Sequence, residues 1–460
     1  MSLRLTDLSL FVLTMVVMCF FLFMELISQV SYLPLCSLLL VMLFIVFYRF
    51  GDRFDVGSPF FVFSLMYMGY SIGGLYYSQS DGYFGKFIGF MNYNNEYIES
   101  MLVVATLFSC VCYVFFSVGY CFFSSKRVGF DYQSDSSFNC FFLTIYKHLA
   151  IVMLIVGFLY WVWVCQTLAG GVINAFVLFQ VFPHLVAEHQ ISTLPYLLYY
   201  AGVYLLLIGL LLEKSKIGFR FWIFSIVGFL ISISTARISL SVTFLLTQLY
   251  LIYLVDSKRR GLIVKLVFFI VALSFIVFFL RELSNYHYIG KDMNFNVSSI
   301  LESVVGGGNV TDLQQVVIVL STFDIADALL GATYFDWIIN TFGVYFGFDP
   351  SSVGLSIADR YVPESSGAPT PGAIGEAYVN FGFGAPIFMF FVGLFFAMIK
   401  NAASKSNNIF VHFGYSCFVV NFVFMFPKVD STMMANFFWA AFPFFAVMCS
   451  LFVFHRSISD

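Results

Sequence analysis

Charge is scarce in this 460-residue chain: Asp, Glu, Lys and Arg make up 10% of it, against 61% hydrophobic residues and 63 phenylalanines. A soluble core needs nothing like that much apolar surface, so a soluble domain is excluded. A formal net charge of −3 gives no reason to expect a nucleic-acid partner. Nucleotide-binding loops, Gly-rich dinucleotide turns and nucleophile elbows are all missing, so any driving energy must arrive with the substrate. Eight of the nine cysteines fall in predicted helices, where Cys behaves as a small apolar residue, and Cys140 falls in a predicted cytoplasmic loop. The long polar segment at about 281–383 contains none, which leaves it without a disulfide framework or a thiolate metal site. The six histidines are scattered without ligand spacing; the pair His184 and His189 beside Glu188 can be read as a metal pair, but the plainer reading is an ordinary loop, so no metal is expected. The triplets Asn296-Val-Ser298 and Asn309-Val-Thr311 are short enough to occur by chance.

Long apolar runs, by contrast, recur from end to end. A helix needs about 20 apolar residues to cross the ~30 Å hydrocarbon core, and twelve runs meet or approach that length. They lie at about 8–30, 33–48, 58–78, 98–123, 148–168, 194–212, 221–236, 238–255, 262–280, 384–399, 410–426 and 434–454. The first has no small-residue cleavage site and is too long for a signal h-region, so it is expected to be a retained helix. The expected class is an all-α polytopic membrane protein in three parts. Residues 1–280 form an N-terminal bundle of about nine helices, 281–383 a large loop with helices of its own, and 384–460 about three closing helices.

Basic residues orient the chain, because Lys and Arg in short loops stay cytoplasmic. With both termini inside, 16 of the 22 basic residues fall on the cytoplasmic side, and the inverse arrangement would reverse that bias. The six left over are Lys86, Arg237, Arg281, Lys291, Arg360 and Lys428, at positions where the sorting rule does not ask for positive charge. The outer loop at 281–383 carries eleven acids against three bases, a net of −8.

About 100 structureless residues between packed helices would be unusual, so the loop should contain elements of its own. Residues 312–330 read as one helix, with Asp324 and Asp327 three apart on a polar face. Residues 334–348, around Asp336 and Trp337, suit a helix lying in the outer interface. The acids of these helices have a plain alternative reading as a solvated face. Next comes Pro369-Thr-Pro371-Gly372-Ala-Ile-Gly375-Glu376-Ala-Tyr378-Val-Asn380-Phe-Gly382-Phe-Gly384, running into the tenth apolar run. The prolines and glycines predict a turn, with Glu376, Tyr378 and Asn380 as polar groups at the mouth of a helix. There Glu376 is either a capping charge or a carboxylate aimed at a ligand.

Residues 369–384 resemble the signature of the oligosaccharide repeat-unit polymerases of the O-antigen polymerase type: a Pro-rich turn, Gly-Glu, an aromatic, Asn, then Phe-Gly and a membrane helix. Ser234-Thr-Ala-Arg237 at the outer end of the seventh helix is similar to the Ser-Arg or Thr-Arg of that family. The order of parts is similar too, with many helices, a large late loop opening on an Arg, here Arg281, and a few closing helices. Where many members carry Arg in the last outer turn, this chain has Lys428-Val-Asp430-Ser431, a point charge in place of a bidentate fork.

The resemblance implies a GT-C-like, metal-independent glycosyltransferase of the bacterial inner membrane, working at the periplasmic face. It would move a growing glycan from one undecaprenyl diphosphate carrier onto the sugar of another carrier-linked repeat unit, with a chain-length-regulating co-polymerase as protein partner. Such a donor already has a good leaving group, so no cofactor is needed. What the site needs is positive charge for two diphosphates and one base for the acceptor hydroxyl. Arg237, Arg281, Arg360 and Lys428 are the candidates for the first. Glu376 leads for the base, with His287 and Asp430 behind it and a structural ion pair as its plain alternative. Tyr378, Asn380 and Asp336 are expected to face the acceptor sugar. Glu25, in the first run, is costly in lipid and expected to face the bundle interior. An O-antigen ligase would share topology and donor. A lipid-linked oligosaccharide flippase should show two similar halves and mid-membrane charges, and neither is visible.

Overall fold

The computed structural model describes residues 58–67, 95–124, 137–181, 194–234, 238–256, 263, 312–323, 328–342, 353–354, 356, 371–429, 431 and 433–459. The expected spans 8–30, 33–48 and 262–280 lie outside the described residues, apart from Ile263, as do Glu25 and the His184–His189 pair. Every described element is helical. In chain order these are α1 (59–67), α2 (Asn95–Phe123), α3 (Ser137–Ala169), α4 (Val172–Val181), α5 (Leu194–Leu212), α6 (Phe219–Ser234) and α7 (Ile238–Val255). There follow α8 (Asp312–Thr322), a 3₁₀ turn (Ala332–Phe335), α9 (Asp336–Phe342), α10 (Gly372–Phe381), α11 (Ala385–Ser404), α12 (Ile409–Phe418) with a π-helical turn (Val419–Val423), and α13 (Met433–Ser459). Among the described residues three helical stretches are long and apolar enough to cross a membrane: Val103–Phe123, Asn139–Ala169 and Gly372–Ser404.

Two compact units emerge, each built from discontinuous segments. One comprises Met1–Val128, Leu301–Ser404 and Phe422–Ala435; the other comprises Gly129–Ile300, Lys405–Asn421 and Asn436–Asp460. In the first, α2 and α11 run parallel in close contact. Cβ atoms built on Gly119 and Gly393 would fall 1.9 Å from the Phe390 carbonyl oxygen and 2.1 Å from that of Phe116. Backbone meets backbone there because neither position has a side chain, the usual arrangement where helices must approach closely. Rings fill the space alongside: Phe63 lies 4.2 Å from Phe116 and 6.0 Å from Phe396, centroid to centroid.

In the second unit α3 and α5 run antiparallel, with Gly202 against Ala150 and Gly209 against the ring of Tyr146. At one end of the pair Lys147 Nζ reaches Glu213 Oε1 at 2.9 Å. This pair is largely exposed, so it adds little stability, but it marks Lys147 and the start of the 213–218 link as one end of the bundle. Buried hydroxyls and amides join the remaining helices: Trp161 Nε1 donates to Ser234 Oγ (2.7 Å), Ser225 Oγ to Gln248 Oε1 (2.7 Å) and Asn421 Nδ2 to Thr247 Oγ1 (3.2 Å), while Tyr200 and Ser232 share a hydrogen bond. Such bonds between helices average about 0.6 kcal/mol each in a bilayer, so they set register more than they set stability.

Local boundaries differ from those expected from sequence in instructive places. Helix α3 ends at Gly170 and Gly171, both with positive φ (69° and 154°), and the chain restarts as the short α4, which the sequence reading did not anticipate. The helix expected over 312–330 stops at Thr322, and Asp324 and Asp327 lie outside the described residues. Leu329 and Leu330 leave helical geometry altogether. Their backbone N–H groups donate to the carbonyls of Val379 (3.1 Å) and Asn380 (3.0 Å), satisfying acceptors that the end of α10 leaves open.

Candidate functional site

Residues 369–384 were expected to turn before a helix, yet Gly372–Phe381 is itself helical. The breakers act only at its ends. Pro371 is the N-cap residue and Gly372 (φ 66°) follows it, while Gly382 (φ 53°) closes the C-terminus by donating its N–H to Tyr378 O. Glu376 therefore sits inside α10, not at a helix mouth, and a capping role is removed. Its side chain is 1% exposed.

Among the described residues, Thr333 and Ser431 donate three hydrogen bonds to that carboxylate. Thr333 Oγ1 donates to Oε1 at 2.9 Å, Ser431 Oγ donates to Oε1 at 2.6 Å, and the Ser431 backbone N–H donates to Oε2 at 2.7 Å. One turn further along α10, Asn380 is fully buried. Its Nδ2 donates to Thr333 Oγ1 (2.6 Å) and to Glu376 O (2.8 Å), and its Oδ1 accepts the Gly331 N–H (2.9 Å). Ser431 Oγ also lies 3.2 Å from Thr333 O. One face of α10 thus holds two distant segments by their polar atoms: the 3₁₀ turn of the large loop and the turn that precedes α13.

The positively charged candidates fare unevenly. Lys428 is half-buried in the second of those turns, three residues before Ser431, where its backbone N–H closes onto Met425 O. Asp336 is buried at the junction of the 3₁₀ turn and α9, three residues after Thr333, and its backbone N–H donates to Thr333 O. Arg237, Arg281, Arg360, His287 and Asp430 lie outside the described residues. Ser234, the first residue of the Ser234-Thr-Ala-Arg237 motif, accepts the Trp161 indole N–H and anchors the end of α6 to α3.

Tyr378 and Asn380 were expected to face a sugar. The Tyr378 ring packs edge-on against Phe108 (5.5 Å) and Phe383 (6.0 Å), beside Ile318, Val319 and Val379. Asn380 uses both ends of its amide inside the fold. Thr333 and Ser431 went unnoticed in the sequence. Ser431 stands beside the Lys428–Asp430 turn that was singled out for charge, but nothing local marks either hydroxyl as the partner of a glutamate 43 or 55 residues away.

Among the described residues no group of three His, Cys, Asp or Glu side chains could hold a metal ion. Comparison with protein-family models, with curated proteins and with solved structures returned no match.

Proposed function

We propose that this protein is a polymerase of undecaprenyl-diphosphate-linked oligosaccharide repeat units, transferring the growing glycan to the next lipid-linked repeat at the periplasmic face of the bacterial inner membrane. The observation that supports the reading best is the buried junction on Glu376. It ties the segment carrying the polymerase-like sequence to a turn of the large acidic loop and to the turn bearing Lys428, the three regions such a reaction would draw on. The chemistry asked of the chain is modest. A glycosyl diphosphate supplies its own leaving group, so the protein contributes cations to hold two diphosphates and a proton acceptor for the incoming hydroxyl.

Deleting the gene in its source strain and running the surface glycan on a gel tests this. A polymerase defect leaves a carrier-derived single repeat on its acceptor, a ligase defect leaves bare acceptor, and a flippase defect accumulates unpolymerised carrier inside the cell. Either of the last two outcomes ends the proposal. The orientation has its own check. Reporter fusions at 300 and 350 should give periplasmic signals, and fusions at 130, 260, 403 and 458 cytoplasmic ones. A cytoplasmic signal at 350 would reverse the topology on which the mechanism depends.

A further inference from the structure

We infer that Glu376 is a positioning residue, whose carboxylate clasps the loop turn leading to Asp336 and the closing turn carrying Lys428 onto α10. The inference rests on the polymerase reading and revises the role of its leading candidate base.

The geometry is what points away from proton transfer. A general base must come within hydrogen-bond reach of the proton it removes. Glu376 is 1% exposed, and both its oxygens are already engaged by donors at 2.6 to 2.9 Å. One of these donors is a backbone N–H, which cannot rotate aside as a hydroxyl can. Approach to an acceptor sugar would require the carboxylate to abandon partners from two other segments.

The same geometry suits a clasp. Buried donors left without an acceptor are costly, so losing the carboxylate would release Thr333, Ser431 Oγ and the Ser431 N–H together. Asn380 backs the arrangement by holding Thr333 Oγ1 and the Gly331 N–H, which fixes the 3₁₀ turn from its other side. Asp336 follows Thr333 by three residues and Lys428 precedes Ser431 by three, so one carboxylate sets where an acid and a cation stand. A misplacement of about 1 Å in a group that orients substrate commonly costs on the order of 10²-fold in rate.

Four variants of the full-length protein separate the roles: Glu376→Gln, Ser431→Ala, Thr333→Val and the Glu376→Gln/Ser431→Ala pair. In Glu376→Gln the amide oxygen can still accept from both hydroxyls, while its NH₂ meets the Ser431 N–H donor to donor. Each purified protein is melted in detergent, and its turnover per folded molecule is followed between pH 5 and 9 with carrier-linked repeat units extracted from the deletion strain.

A clasp gives every single variant a melting point lower by roughly 2–4 °C and a turnover lower by about tenfold or more, with the wild-type pH profile. The pair should lose less than the sum of its two members, because both changes act on one carboxylate. Turnover lost only in Glu376→Gln, together with the acidic limb of its pH profile, would restore the base and overturn the inference. Lower melting with wild-type turnover would reduce the cluster to ordinary packing and overturn it equally. If the wild-type protein makes no polymer, the functional proposal fails by itself, and additive melting shifts in the paired variant would then sink the clasp as well.

Discussion

Replacing Gly119 with alanine should cost the protein its membrane abundance, although helix propensity alone argues for a gain. In a helix interior, Ala is favoured over Gly by about 1 kcal/mol. At Gly119 the added methyl would sit 1.9 Å from the Phe390 carbonyl oxygen, and real Cβ atoms do not come within 3.0 Å. The obstacle is backbone, which cannot swing aside like the end of a side chain, so α2 and α11 must separate by about 1 Å or more. Gly393 presses on the Phe116 carbonyl from the opposite helix, so separation at one point opens the other. Overpacking of a fixed interior costs about 1–3 kcal/mol and sometimes more. An obstructing carbonyl puts this site at the upper end, which outweighs the propensity term, and Gly119→Val should be worse still. Gly218→Ala is the matching control, because nothing lies within 4 Å of a Cβ at that position. Immunoblots of membranes and detergent melting curves decide the matter: Gly119→Ala at wild-type level and melting temperature would mean that this contact does not hold α2 against α11.

Helices that stand alone in the sequence were legible, and segments whose structure depends on distant partners were not. The runs expected at 194–212 and 238–255 coincide with α5 and α7, because an uninterrupted apolar stretch with no Pro beyond its first turn has only one way to satisfy its backbone in an apolar environment. At 312–330 a helical periodicity continued past Thr322, yet Leu329 and Leu330 gave up helical bonds for the open carbonyls of α10. No pattern within the segment could announce an acceptor some 50 residues away. The Pro- and Gly-rich stretch misled for the opposite reason. Its breakers were recognised, but Pro371 suits the start of a helix and Gly382 suits the end, so ten residues between them could fold as one.

The site divides along the same line. Glu376 drew attention as a polar group beside a Pro- and Gly-rich turn, and burial with several donors is one physical outcome for such a residue. Whether it would clasp or catalyse depended on Thr333 and Ser431, two ordinary hydroxyl residues that carry no charge, no spacing and no motif. The polar residues of 225–234 tell a similar story, since their serines are informative only once Trp161, Tyr200 and Gln248 are seen opposite them.

Arg237→Ala and Arg281→Ala should each collapse the polymer ladder towards a single repeat while leaving membrane protein levels normal. Arg237 occupies the three-residue link between α6, which ends at Ser234, and α7, which begins at Ile238. Trp161 holds Ser234, and it stands fourteen residues beyond Lys147 along α3, about 21 Å at 1.5 Å per residue. Ser234, three residues before Arg237 in the chain, is thus held well away from the Lys147–Glu213 pair along α3. Arg281, which closes the ninth apolar run of the sequence, is expected on the outer side from the distribution of basic residues. Positive charge is disfavoured there by the sorting rule, and an arginine beside hydrocarbon persists only with a partner. Diphosphate is the partner expected of a glycan polymerase. The planar guanidinium matches phosphate oxygens with two parallel hydrogen bonds, a geometry an ammonium cannot reproduce, so Arg→Lys should fail alongside Arg→Ala. Loss of one such electrostatic contact commonly lowers turnover by about 10²- to 10³-fold, enough to stop chain growth. A structural ion pair, with Glu282 or Asp430 for instance, predicts something else: less protein in the membrane and normal activity per molecule. Blotting each variant while its surface glycan is run on a gel tells the two apart. Full ladders at normal abundance from both Arg237→Ala and Arg281→Ala would show that neither guanidinium holds the diphosphate.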